Sequence, residues 1–228
     1  MKNTAIVTGA SSGIGREISR VLVEMGYEVY GFGREFPEEE VYFHPIVCDL
    51  LNTPELERQI KEIRRRNEVS LLVNNAGVGY YGLHEELNVQ KIQKLVRTNL
   101  EVPMVLTNLL LRDLKKYSGT VINISSVTAQ LSNPHGCAYG ATKAGLSSFS
   151  RSLFDEVRKY GVRVVTIQPD MTKTDLYRNA DFAQGEEEAS YLLPEEIAEA
   201  VRNILQMREG AVVTEITLRP QLHRIRRK

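Results

Sequence analysis

Residues 4–15, TAIVTGASSGIG, restrict the fold of this chain more than any other stretch. A β-branched run, Thr4 to Thr8, passes directly into Gly9-Ala-Ser-Ser-Gly13-Ile-Gly15. From there Ile14, Ile18, Val21, Leu22 and Met25 recur at helical spacing up to Gly26. The order is strand, glycine turn, helix. Such a turn turns backbone N–H groups and the positive helix end towards a phosphate, because glycines remove the side chains that would block close approach. Gly9, Ser11, Ser12, Gly13, Ile14 and Gly15 are therefore candidate phosphate contacts. The spacing is Gly-x-x-x-Gly-x-Gly, not the G-x-G-x-x-G of the commoner dinucleotide fingerprint.

Further strand-like runs follow, each ending in residues that suit a ligand. Residues 27–32 (YEVYGF) read as a second strand ending at Gly33-Arg34. An acidic residue at this point of a nucleotide-binding unit accepts from a ribose 2′-hydroxyl, whereas an arginine accommodates a 2′-phosphate. Arg34 thus points to NADP rather than NAD, with Glu35 beside it as the opposing signal. Residues 37–40 read as a charged loop, and 41–47 (VYFHPIV) as a third strand broken by Pro45 and ending at Cys48-Asp49-Leu50. Asp49 can accept from an adenine amino group, or open the next helix with Thr53 as its N-cap ahead of Pro54. Residues 70–73 (SLLV) form an apolar strand of the kind covered on both faces, leading into Asn74-Asn75-Ala76-Gly77.

A long helix is expected within 89–117. Asn99 lies in its middle and Pro103 one turn later, where a local kink is expected because proline removes a backbone donor. A fifth strand, 119–126, ends at Ser125-Ser126, and a helix over 138–160 carries Tyr139 and Lys143, four residues apart and so on one face. An ammonium about 4 Å from the phenol would favour phenolate by roughly 4 kcal/mol, about three pKa units, bringing Tyr139 towards neutral pH, where a general acid or base works best. Residues 162–167 give a sixth strand, followed by Pro169 to Asp175. An irregular stretch then runs to Leu193, a helix covers 194–207, and a seventh strand 211–218. The basic ending HRIRRK reads as a solvated tail.

Alternating strands and helices over 228 residues, 42% of them apolar, point to one α/β domain spanning 1–228. Its parallel, seven-stranded sheet would be doubly wound, with ligands outside the carboxyl ends of the strands. Twenty-nine basic and twenty-nine acidic residues cancel, so nothing draws the protein to nucleic acid or an anionic membrane. Small molecules are the expected partners. No stretch approaches the roughly 20 apolar residues of a membrane span, and the N-terminus lacks a signal-peptide core. With only Cys48 and Cys137, reduced thiols in the cytoplasm are expected, and no metal.

These residues resemble the short-chain dehydrogenase/reductase family. Residues 8–15 are similar to its TGxxxGxG loop, Asn74 to Gly77 to its NNAG motif, and Ser126, Tyr139 and Lys143 to its S-x12-Y-x3-K set, with Asn99 40 residues before the tyrosine. The resemblance covers nearly the whole chain and implies a Rossmann-like fold. Tyr139 would be the acid-base residue, Lys143 would lower its pKa and bind the nicotinamide ribose, Ser126 would orient the substrate oxygen, and Asn99 would hold a water. Gly9, Ser11, Ser12, Gly13, Ile14, Gly15, Arg34, Asp49, Leu50, Asn75, Ala76, Gly77, Pro169, Thr172 and Thr174 would contact the cofactor, with Thr174 matching the last position of the family's PGxxxT. Asp170 replaces the glycine of that motif, which alters the turn beside the nicotinamide or puts a negative charge near the substrate pocket.

The implied activity is NADP(H)-dependent interconversion of a carbonyl and an alcohol, with NAD(H) as the alternative cofactor. A protein that binds NADP(H) without turnover is the rival, and a dehydratase or epimerase on the same fold a third reading. Tyr80, Tyr81, Ser132, Cys137, Met171, Tyr177, Phe182 and Tyr191 are candidates for a partly aromatic substrate pocket. The resemblance also implies a homodimer or homotetramer packed through the helices that begin near Asn88 and Ala138.

Overall fold

The computed structural model describes residues 3–36 and 42–227. The charged loop at 37–40 and the start of the third strand at Val41 lie outside the described residues.

Strand β1 (Thr4–Thr8) leads through the glycine turn into α1 (Gly13–Glu24), then β2 (Glu28–Gly33) and β3 (His44–Val47). The chain continues through α2 (Thr53–Arg66), β4 (Val69–Asn74) and α3 (Val89–Val96). A π-helical turn (Arg97–Glu101) joins α3 to α4 (Val102–Lys116). Next come β5 (Thr120–Ile124), α5 (Cys137–Val157), β6 (Arg163–Pro169), β7 (Phe182–Gln184), α6 (Pro194–Leu205), β8 (Glu215–Leu218) and β9 (Ile225–Arg227). Seven strands form one sheet in the order β3-β2-β1-β4-β5-β6-β8, every pair parallel. The order reverses between β1 and β4, and the crevice at that switch point is where such a sheet takes its ligand.

The central strands are apolar on both faces because both faces are covered. Ala5, Val7, Leu71, Val73, Ile122, Ile124 and Val165 pack against Ile18, Val21 and Leu22 of α1 and Ile197, Val201 and Ile204 of α6. The alternate residues Ile6, Leu72, Val121 and Val164 pack against Leu56, Ile60 and Ile63 of α2, Leu106, Leu110 and Leu114 of α4, and Leu153 and Val157 of α5.

Four expectations change in detail. Asn52, not Thr53, caps α2: its side-chain oxygen accepts from the Glu55 N–H at 3.3 Å, with proline in the first turn. The helix irregularity falls at Arg97–Glu101, so Asn99 itself sits in the π turn and Pro103 opens α4. Proline at 103 lacks the N–H that an α-helix would give to the carbonyl of Asn99, which loosens the ladder at that turn. The seventh strand of the sheet starts at Glu215, later than the apolar pattern indicates. The basic ending is no free tail: Ile225–Arg227 pairs antiparallel with Phe182–Gln184, a strand inside the stretch expected to be irregular.

Candidate active site

The glycine turn has the backbone that its sequence demands. Gly9 (φ 66°) and Gly13 (φ 53°) are left-handed, a region that side chains disfavour. Gly15 is excluded from larger residues by contact, since a Cβ there would lie 2.1 Å from the Gly9 carbonyl oxygen and 2.4 Å from Asn75 Nδ2. It therefore closes the turn rather than lining the cleft, and in this it departs from the contact residues around it. The N-terminus of α1 is open: exposed Ser12 makes no side-chain cap and the first turn holds no acid. Unsatisfied N–H groups and the positive end of the dipole suit a phosphate there.

Thr8 ties the turn to the next strand end. Its Oγ1 accepts from the N–H groups of Asn75 and Ala76, both at 3.0 Å, while Asn75 Nδ2 donates back to the carbonyls of Thr8 (2.9 Å) and Gly9 (3.2 Å). The Asn75 amide thus serves first to brace the phosphate turn. Asn74 Nδ2 donates to Asn123 Oδ1 at 2.8 Å, and Asn123 Nδ2 to Ser150 Oγ at 2.8 Å, a buried polar chain beneath the site that joins β4, β5 and α5.

A cleft of about 510 Å³ runs along the carboxyl edge of the sheet. Gly9, Ser11, Ser12, Gly13 and Ile14 line one wall, with Arg34, Asp49 and Leu50 at one end and Asn75, Ala76 and Gly77 across the switch point. Ser126, Tyr139, Lys143, Pro169, Thr172 and Thr174 line the other end. Arg34 is exposed at the cleft edge. Asp49 Oδ1 accepts from the Leu51 N–H at 3.0 Å, so one carboxylate oxygen organises its own turn. Arg97, which sequence reasoning did not single out, reaches over to donate to the Leu51 carbonyl at 2.8 Å and lines this end.

At the other end Tyr139 and Lys143 are each 4% exposed. Lys143 Nζ donates to the Ile124 carbonyl at 2.8 Å and lies 5.8 Å from the centre of the Tyr139 ring. The electrostatic expectation is therefore corrected: burial dominates and pushes the Tyr139 phenol up to about 12, opposed by a side-chain hydrogen bond with Ser126. Burial also pulls Lys143 down to about 8. Near neutral pH this gives a protonated phenol beside a charged amine.

Ser126 Oγ also accepts from the Thr128 N–H at 3.2 Å, which fixes the hydroxyl at the end of β5. Asn99 is held behind the cleft rather than on its wall. Its Oδ1 accepts from the Val78 N–H (2.9 Å), and its Nδ2 donates to the Val78 carbonyl (3.0 Å) and Thr142 Oγ1 (3.2 Å). A methyl group on Gly77 would sit 3.5 Å from Asn99 Oδ1 and 3.6 Å from Lys143 Nζ, so the fold does bring these two together across that glycine.

Asp170 carries no uncompensated charge. Its Oδ2 accepts from Arg219 Nε at 3.1 Å and its Oδ1 from the Met171 N–H at 2.8 Å, so the turn is stapled to the residue after β8. Thr172 Oγ1 donates to the Asp170 carbonyl (2.9 Å), and Thr174 Oγ1 accepts from the Leu176 N–H (3.4 Å). The Thr174 methyl lies over Gly13, 3.2 Å from where a Cβ on Gly13 would be, so this loop arches across the phosphate turn.

Of the pocket candidates, Tyr81, Tyr177 and Phe182 cluster with Tyr139, and Tyr80 lines the cleft. Ser132 is exposed on the loop before α5 and Cys137 is exposed at the first position of α5, Met171 is buried, and Lys173 covers the Tyr191 ring. Cys48 and Cys137 are both free thiols. Among the described residues, no three His, Cys, Asp or Glu side chains gather as a metal site, and no helix is long and apolar enough to cross a membrane.

Comparisons with known proteins agree with this architecture. Residues 3–184 match the short chain dehydrogenase family model. The chain is 32% identical over 191 residues to an NADPH-dependent 3-dehydrocapnine reductase from Ornithobacterium rhinotracheale, covering 77% of this chain and 68% of the relative. It is 33% identical over 184 residues to a serine 3-dehydrogenase from Agrobacterium fabrum, covering 77% and 74%. Among solved structures it superposes with a TM-score of 0.85 on an alcohol dehydrogenase from the archaeon Thermococcus sibiricus complexed with 5-hydroxy-NADP, at 27% identity over 98% of both chains. The chain belongs to the short-chain dehydrogenase family, a family of nicotinamide-dependent oxidoreductases.

Proposed function

We infer that the protein is an NADP(H)-dependent reductase that interconverts a carbonyl and a secondary alcohol, with Tyr139 as the proton donor and acceptor. The observation that carries this reading is the convergence of Ser126, Tyr139 and Lys143 at one end of a cleft whose other end is a glycine cradle with Arg34 at its edge. The cradle suits a dinucleotide: two left-handed glycines, a third too crowded for a side chain, and an uncapped helix N-terminus. Arg34 would meet a 2′-phosphate, and Ser11, Ser12 and Ile14 would supply donors to the pyrophosphate.

When bound, the nicotinamide supplies the hydride. The protein supplies position and a proton. Ser126 holds the substrate oxygen while Tyr139, protonated at neutral pH, gives up its proton as negative charge develops there. An ammonium has three donors, and Lys143 spends one on the Ile124 carbonyl. The remaining two would be free for a ribose hydroxyl of the bound cofactor and for the phenolate left after proton transfer, which the positive charge would stabilise. Asn99 pins the backbone at Val78 and so keeps Gly77 clear of Lys143.

A protein that binds NADP(H) without turnover is the alternative. NADPH oxidation against a panel of ketones, aldehydes and quinones, set beside a fluorescence titration of NADPH, separates the two. Turnover of a panel member supports the reductase, and tight binding with no turnover of any of them supports the alternative.

A further inference from the structure

Tyr177, which lines the cleft near Tyr139, belongs to a cluster of rings with Tyr81 and Phe182 that is fastened by the strand β9. In the β7–β9 ladder Phe182 stands opposite Arg227, Ala183 opposite Arg226 and Gln184 opposite Ile225. The seam continues beyond the ladder, where Gly185 N–H donates to the Arg224 carbonyl (3.1 Å) and Leu222 N–H to the Ala189 carbonyl (2.9 Å). Arg224 pairs with Glu187, and Arg226 with Glu186. Gly185 leaves no slack: a Cβ there would lie 3.0 Å from the Arg224 carbonyl oxygen and 2.6 Å from Ser190 Oγ.

What this seam holds is aromatic. Phe182 meets the Tyr81 ring edge-on at 5.1 Å, and Tyr177 stacks on Tyr81 at 6.0 Å with 30° between planes. Tyr81 in turn lies 5.6 Å from the Tyr139 ring. Burial raises the Tyr81 and Tyr177 phenols well above their ordinary value, so these rings are neutral and form an apolar cover over the proton donor. A two-stranded ribbon is marginal by itself, so the position of Phe182 depends on both its ring contacts and its ladder partner. The two ion pairs are well exposed and contribute little, which leaves the backbone ladder as the main fastening.

We propose that β9 is a strap that sets substrate selectivity: by holding β7 it fixes Phe182 and Tyr177 against Tyr81, so that compact or planar uncharged carbonyl compounds reach Tyr139 and bulky branched ones do not. The proposal rests on the reductase reading for its substrate class, but the strap itself does not.

The test compares wild type with Arg226→Pro in the full chain and with a chain ending at Leu222. Proline removes an N–H from the ribbon and constrains its backbone. Amide exchange across 182–190 is expected to be at least about tenfold faster in both variants, as local opening replaces a closed ladder. NADPH affinity should stay unchanged. The ratio of kcat/KM for a bulky bicyclic ketone to that for a small aliphatic ketone should rise about tenfold, the scale of discrimination a hydrophobic wall achieves.

Unchanged exchange, or faster exchange with the ratio unchanged, overturns the proposal. If the truncated chain does not fold, Arg226→Pro decides. If wild type reduces neither ketone, the strap is judged without turnover: NADPH-saturated Arg226→Pro should bind Nile red at least about tenfold more tightly than wild type, on the same scale of apolar discrimination, and equal binding overturns it, while the reductase reading falls only if no member of the wider carbonyl panel turns over.

Discussion

Lys143 gives its hydrogen bond to the carbonyl oxygen of Ile124, at 2.8 Å, not to the phenol of Tyr139 one helical turn away. That choice anchors the amine to the end of β5 and keeps it level with the cleft floor, 5.8 Å from the tyrosine ring centre. Both groups are buried, and burial favours their neutral forms, moving the phenol up and the amine down.

Activity should follow the amine. Burial pulls Lys143 down to about 8 and pushes Tyr139 up to about 12, so near neutrality the amine is charged and the phenol still holds the proton that the proposed reduction would use. As pH rises through about 8 the ammonium is lost, and carbonyl reduction at saturating NADPH should fall with a one-proton slope. Stability has the opposite sign over the next interval. Between about 8 and 10.5 the folded state binds fewer protons at Lys143 than the unfolded chain does, so stability rises with pH. Above 10 Tyr139 reverses this, because the folded state keeps a proton that the unfolded chain loses. A kcat profile flat across pH 8, or a Lys143→Met variant whose melting temperature keeps the wild-type pH dependence, contradicts the assignment.

Cofactor choice should depend on Arg34. One charge-assisted contact to a 2′-phosphate contributes about 1.5–3 kcal/mol, so Arg34→Ala should weaken NADPH about tenfold to a hundredfold and leave NADH nearly unchanged. Fluorescence titrations with both cofactors check this, and equal losses would remove Arg34 from the role.

Thr8 is expected to matter to stability more than its size implies. Thr8→Val keeps the shape but removes the acceptor for the N–H groups of Asn75 and Ala76. Leaving two donors without that partner should cost about 2–4 kcal/mol. Chemical denaturation should show the loss in the midpoint with an unchanged slope; a wild-type midpoint would mean the switch point is held by other bonds.

The sequence carried most of this architecture because its signals are local. The residues 4–8 run, the left-handed glycines at 9 and 13, and the 139/143 spacing each impose a conformation within a few positions of themselves. Signals that failed were long-range. The charge effect of Lys143 on Tyr139 depended on burial and on an Ile124 carbonyl that spacing does not reveal. Asp170 looked like an unbalanced charge until β8 delivered Arg219 beside it. HRIRRK looks solvated because Arg224, Arg226 and Arg227 are indeed exposed, while the pairing of 225–227 with 182–184 is a backbone matter to which composition is blind. The residues mark Asn99 as a polar group in the middle of a long helix, yet only tertiary contact shows its amide clasping Val78.

The most direct test of the central claim is single-turnover reduction of a ketone by NADPH-loaded wild type and Tyr139→Phe, with NADPH affinity measured alongside. Removing only the hydroxyl should slow hydride transfer by about 10²–10⁴-fold while the NADPH dissociation constant stays within about twofold, the signature of a lost proton donor in a site that still binds its cofactor. Hydride transfer at the wild-type rate in Tyr139→Phe would show that the proton comes from elsewhere.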